Sequence, residues 1–136
     1  MLFRSEADFY KRLDALMDIA ARSLNTKRRV ITQLLEQGLY PYTKRYLGTF
    51  SNHFSTIGLI GMNEVGLNAK WLRADLTHPK TQRFTRDVLN HMRERLSDYQ
   101  EKYGDLFNLE ATPAESTTYR FAKHDVEAYP GSSRPT

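Results

Sequence analysis

Apolar residues recur at three- and four-residue steps through the first quarter of the chain, at Phe9, Leu13, Leu16, Ala20, Leu24, Ile31 and Leu35. That period keeps one face of a helix apolar. Ser5 offers a cap, Glu6 and Asp8 suit the positive end of the dipole, and Gly38 closes the stretch, so one long amphipathic helix is predicted. Its central Lys27, Arg28 and Arg29 read as a solvated face first and as phosphate contacts second. From Leu39 the pattern changes to Tyr40, Pro41, Tyr42, Tyr46 and Phe50, interleaved with Lys44 and Arg45. Pro41 argues against a central strand, and an extended segment is expected whose rings either anchor a loop or stack on bases.

Residues 54–60 carry Ile57, Leu59 and Ile60 in nearly continuous apolar character, which predicts a strand covered on both faces, as in parallel sheets. Gly61 gives a sharp exit into a helix over about 62–72, with Met62, Val65, Ala69 and Leu72 on one side. After a turn at 75–78, Pro79 opens a second long helix bearing Phe84, Val88, Met92, Leu96, Tyr99 and Tyr103, closed by Gly104. Residues 106–111 form the second expected strand. Thr112 as cap, Pro113 at the first helical position and Glu115 closing a capping box then predict a last helix. Strands separated by helices make the fold class α/β with parallel pairing, helix-rich and with two short core strands.

A helix that begins where such a strand ends points unpaired N–H groups into the crevice at the strand's carboxyl edge, a place to hold phosphate. Ser116 and Thr117 add hydroxyls to that first turn. Most capping boxes only start helices, and the Glu115 carboxylate either satisfies the cap or repels an anion. Asn63 and Glu64 follow the first strand in the same way and are second candidates, as active-site wall. Against that, Glu64 in a first turn complements the dipole. Asn52 and His53, ahead of that strand, read as a loop pair.

With 136 residues, 40% hydrophobic and 26% charged, the chain is sized for one domain. A net charge of +4 mildly favours anionic partners without choosing among them. The absence of cysteine excludes disulfides, thiolate nucleophiles and cysteine metal sites. The four histidines, His53, His78, His91 and His124, fall at no metal-ligand spacing, so no metal site is predicted, and no serine hydrolase signature is present. No apolar run has membrane-spanning length and the start lacks a signal core, so no membrane partner and a cytoplasmic location are expected. Residues 129–136 read as a tail that neither packs nor repeats.

Three blocks carry more information than any of these patterns: L-Y-P-Y-T-K-R-Y-L-G over 39–48, S-N-H-F-S-T-I-G-L-I-G-M-N-E over 51–64 and L-E-A-T-P-A-E-S-T over 109–117. In this order they resemble the catalytic subunit of the anaerobic, class III glycyl-radical ribonucleoside-triphosphate reductases. The resemblance runs from about Glu6 to the last residue, leaving residues 1–5 as a non-native start and the chain as an internal fragment of a ten-stranded α/β barrel. It implies radical reduction of ribonucleoside triphosphates to deoxyribonucleotides, with formate or a thiol system as electron donor. The turn from Thr112 to Thr117 would then bind the substrate's phosphates, through the N–H groups of Ala114, Glu115, Ser116 and Thr117 and the hydroxyls of Ser116 and Thr117, and Asn63 and Glu64 would stand in the barrel wall.

The resemblance also implies a glycyl radical, a structural zinc, a radical-SAM activating enzyme and a homodimer partner for the intact protein. This chain has neither the thiyl and zinc cysteines nor the radical glycine motif, so no catalytic residue and no cofactor are assigned to it, and it is expected to be inactive alone. Its unpaired strand edges predict a marginal or associating piece. Two other readings stand beside this one: a basic helical nucleic-acid-binding module, with affinity falling steeply in salt, and a helical interaction protein.

Overall fold

The computed structural model describes residues 5–111 and 114–130. Helix α1 spans Glu6–Glu36, and Ser5 Oγ accepts the Asp8 N–H at 3.1 Å as its cap. At its other end Gly38 takes a positive φ of 84°, so the Leu39 N–H bonds the Leu34 carbonyl and the Gly38 N–H that of Leu35. The buried face is turned slightly from the predicted one. Met17 and Ala21 are fully covered while Leu16 is 65% exposed, because Phe9, Leu13 and Met17 form a four-residue ridge that leaves Leu16 at its margin.

The expected extended aromatic segment is instead a short helix, α2, over Pro41–Leu47. Pro41 occupies the first turn, where a missing N–H costs nothing and its fixed φ favours the helix, and Gly48 ends it at φ 71°. No residue of α2 is buried, and Tyr42 and Tyr46 are exposed.

Strands β1 (Ser55–Leu59) and β2 (Phe107–Ala111) pair in parallel, in a register that runs from Ser55 opposite Phe107 to Leu59 opposite Ala111. Ser55, Ile57 and Phe107 are buried, whereas Thr56, Gly58 and Glu110 are exposed. The expectation of a strand covered on both faces is therefore corrected for this chain. One face is packed against helices, whereas on the other Thr56, Gly58 and Glu110 are exposed and Asn108 is half-buried.

Helix α3 covers Met62–Asn68 and stops short of the predicted Leu72. The reason lies at Gly66, where a Cβ would stand 2.5 Å from the Ala74 carbonyl oxygen and 2.6 Å from Thr81 Cγ2. The chain folds back over that glycine, with the Ala74 N–H on the Gly66 carbonyl at 3.2 Å, so Ala69, Trp71 and Leu72 reach the core from a turn. Helix α4 spans Pro79–Tyr103, capped by His78 Nδ1 on the Lys80 N–H and closed by Gly104 in the left-handed region. Thr81, Phe84, Val88, Met92, Leu96 and Tyr99 are its buried stripe.

Helices α1 and α4 run side by side in the same direction: the Phe9 and Phe84 rings meet at 5.4 Å, Asp14 meets His91, Asp18 meets Arg95, and Asn25 meets Asp105. Each helix thus lies on the same face of the sheet, α1 along β1 and α4 along β2. The last helix, α5 (Glu115–Ala128), has no buried residue.

Candidate functional site

Parallel pairing brings the exits of both strands to one edge of the sheet. Leu59 leads through Ile60 to Gly61, which takes φ 85° as the N-cap of α3, and its register partner Ala111 leads toward α5. Thr112 and Pro113, the predicted cap and first helical residue, lie outside the described residues.

The helix beyond them starts differently from the predicted capping box. Ala114 is the N-cap, in the left-handed region at φ 45° and with no side-chain cap bond, so Glu115 is the first helical residue and not the third. The capping group is the Ala114 carbonyl, which accepts the N–H groups of Thr117 and Thr118, each at 2.9 Å. The Thr117 N–H is therefore engaged within the helix. Glu115 and Ser116 are exposed, and among the described residues their N–H groups donate to nothing. Thr117 is half-buried, and the neighbouring Thr118 hydroxyl, which the sequence did not single out, bonds the Glu115 carbonyl at 2.9 Å. The donor set at this tip is thus the two N–H groups of Glu115 and Ser116, with the Ser116 hydroxyl beside them and the Glu115 carboxylate on the same turn.

The second candidate pair separates by role. Asn63 is half-buried and its Oδ1 accepts the Leu76 N–H at 3.1 Å, which anchors the turn between α3 and α4. Glu64 is exposed, with its carboxylate folded back to 3.7 Å from where a Gly61 Cβ would stand, over the positive end of α3.

The opposite edge of the sheet holds what the sequence left as a solvated basic run. Arg28 Nη1 donates to the Phe50 carbonyl at 2.6 Å, Nη2 donates to the His53 carbonyl and to Ser55 Oγ, and Nε lies 3.5 Å from Asp105 Oδ1. Asn25 Nδ2 reaches the other Asp105 oxygen at 3.2 Å. Arg28 is thereby a structural clamp. His53 joins it through its carbonyl while its ring packs edge-on to Phe50 at 5.4 Å.

The other histidines are equally dispersed: His78 caps α4, His91 Nε2 lies 2.6 Å from Asp14 Oδ1, and His124 is 3.8 Å from Glu127. Among the described residues no group of three metal-ligating side chains assembles, so a zinc ion has no donor set there. Among the described residues no helix is long and apolar enough to cross a membrane.

The seam between α1 and α4 holds the clearest electrostatic perturbation. The Tyr99 hydroxyl donates to Asp18 at 2.5 Å and Arg95 reaches the same oxygen. That hydrogen bond holds the Asp18 carboxyl below its usual range, with Arg95 adding to it against a desolvation penalty. Burial, reinforced by Asp18, pushes the Tyr99 hydroxyl up to about 12. These groups are interlocked across two helices and away from either strand exit, which marks them as a packing feature.

The family described as anaerobic ribonucleoside-triphosphate reductase matches residues 2–135. The anaerobic ribonucleoside-triphosphate reductase of Haemophilus influenzae is 28% identical over 141 aligned positions, which cover 93% of this chain and 20% of that protein. The chain therefore spans about a fifth of the length of the relative it matches. No solved structure matches it. With the match extending over almost every residue, the chain belongs to the anaerobic ribonucleoside-triphosphate reductase family.

Proposed function

We propose that this chain is part of the catalytic barrel of an anaerobic ribonucleotide reductase, and that the start of α5 holds the triphosphate of the substrate. The observation that carries the reading is the register of Leu59 with Ala111, which sets the approach to α5 at the carboxyl edge of a parallel pair, where α/β sheets bind ligands. The unengaged N–H groups of Glu115 and Ser116 and the Ser116 hydroxyl are donors suited to an anion. Thr117 contributes its hydroxyl and Ala114 shapes the turn, and Thr112, which lies outside the described residues, is assigned to the same set. Asn63 supports the neighbouring wall by fixing the turn at Leu76, with Glu64 beside it.

In this reading the thiyl cysteine, the glycyl radical and the zinc ligands belong to the rest of a longer cytoplasmic polypeptide, which acts as a homodimer charged by a radical-SAM activating enzyme. This chain supplies binding and wall, and does not turn over alone. The family match over residues 2–135 favours it above a nucleic-acid-binding or interaction module.

The test is a titration of full-length protein carrying Ser116→Ala and Thr117→Ala with substrate nucleoside triphosphate and with inorganic tripolyphosphate. Loss of a charge-assisted hydrogen bond predicts roughly tenfold weaker binding of both. Unchanged affinity for both would remove the phosphate assignment.

A further inference from the structure

Helix α4 carries a different chemistry on each of its flanks. Toward α1, His91 and Arg95 meet Asp14 and Asp18 of the neighbouring helix. On the flank turned away from α1 stand Arg86 and Arg93, two turns apart, and among the described residues neither guanidinium has an acceptor. The positions three and four residues to either side of them are Gln82, Arg83, Leu89, Asn90, Leu96 and Ser97, so no carboxylate of the same helix serves them.

A groove of about 510 Å³ lies between this flank and β2, with Leu96, Phe107 and Leu109 among the residues that line it. The Ser55 N–H donates to the Leu106 carbonyl, so in a parallel ladder Asn108 and Glu110 turn their main-chain groups toward β1, while Phe107 and Leu109 turn theirs outward. Gln100 Oε1 takes the Phe107 N–H at 3.0 Å. The Phe107 carbonyl and both main-chain groups of Leu109 have no partner among the described residues. Asn108 also lines the groove, and its Oδ1 is buried without a partner. An apolar trough between an unpaired strand edge and two unpaired cations suits an extended chain, whose backbone completes the edge while carboxylates reach the arginines. The far flank of α1 offers no such match, since Leu16, Ile19 and Val30 are exposed there and suit an apolar neighbour.

We propose that the outer edge of β2 and the flank bearing Arg86 and Arg93 form a docking groove for an extended acidic segment of the same polypeptide. Its main chain bonds Leu109, and its carboxylates pair with the two arginines. The segment is assigned to the same polypeptide because this chain spans only a fifth of the relative it matches, and a covalently joined segment meets the edge at high effective concentration. The inference rests on the reading of the chain as part of a larger protein and makes no use of the phosphate assignment.

The test is residue-resolved hydrogen exchange in the full-length protein. The Leu109 amide should exchange within about tenfold of the Glu110 amide, which faces β1. Arg86→Gln with Arg93→Gln should speed exchange at Leu109 by roughly ten- to a hundredfold, the factor expected when charge-assisted bonds to the segment are lost. Both arginines are exposed, so the core of the chain stays intact in that variant. Arg22→Gln, on α1, should leave the Leu109 rate within twofold. A photo-crosslinking amino acid at position 90, between the arginines, should join a peptide of the same polypeptide that contains at least two acidic residues. A Leu109 amide that exchanges as freely as an unpaired one, a rate indifferent to the double variant, or a cross-link to another subunit or to a peptide without acidic residues would overturn the proposal. Failure of the larger-protein reading shows separately, in the mass of the natural polypeptide.

Discussion

At the amino edge of the β1–β2 pair a single guanidinium, Arg28, bonds the turn before β1, the first residue of β1 and the aspartate two places before β2. The Gln100 side chain adds a bond to the Phe107 N–H at 3.0 Å, and the Ser55 N–H reaches the Leu106 carbonyl at 2.7 Å. At the carboxyl edge the same two strands leave through left-handed residues, Gly61 and Ala114, and α5 buries none of its side chains. One edge satisfies its polar groups internally, while at the other the N–H groups of Glu115 and Ser116 have no partner among the described residues. The contrast separates the part of the sheet that fixes register from the part available to a ligand, a division that parallel α/β sheets share.

The sharpest way to break this contrast is at the clamp. Arg28→Ala leaves two carbonyls, Ser55 and Asp105 short of a donor at a site where the guanidinium is 13% exposed, and should lower stability by about 3 kcal/mol in denaturant unfolding. Arg28→Lys should recover only part of that loss, because an ammonium cannot reproduce the planar fork. A loss below about 1 kcal/mol would show that the amino edge is held by something else.

A smaller effect is expected from pH, through the α1–α4 seam on the clamped half. Asp18 has a folded value below its unfolded one, so its contribution is full above the ordinary carboxylate range and disappears as pH falls through the lower folded value. Tyr99 is raised to about 12, so its contribution is full below about 10 and disappears as pH rises toward 12. Stability should therefore fall at both extremes, and Asp18→Asn should flatten the acid limb. Asp18 is half exposed, which keeps the effect below that of the clamp. An acid limb unchanged in Asp18→Asn would move the cause elsewhere.

The smallest effect belongs to the open edge. Ala114→Gly removes the strain of a left-handed alanine and should stabilise the start of α5 by roughly 0.5–1 kcal/mol, read as slower amide exchange along that helix. The unfolding midpoint of the core should not move, since α5 is not packed into it.

Much of the clamped half was legible from residue order. Caps and closing glycines bounded α1 and α4, and their apolar steps marked Phe9, Phe84, Val88, Met92 and Leu96 as buried. The Arg28 clamp was not legible, because its partner Asp105 is remote in sequence and nothing local distinguishes Arg28 from Lys27 or Arg29. The aromatic segment was misread because Pro41 forbids a central strand and starts a helix equally well. At the open edge the family blocks located the turn, but local pattern placed Glu115 two positions too deep in its helix, since the Ala114 carbonyl does the capping.

The pairing of Ser55 with Phe107 also sets an order of events during synthesis. Helix α1 and strand β1 leave the ribosome first, yet the surface they cover is incomplete until β2 has been made. At about 5–20 residues per second that wait lasts on the order of several seconds. Through it Phe9, Met17 and Ile57 have only α3 and the growing α4 to shelter them. A nascent chain stalled before Leu106 thus keeps that surface open, and synthesis past Ala111 supplies the strand that pairs with β1.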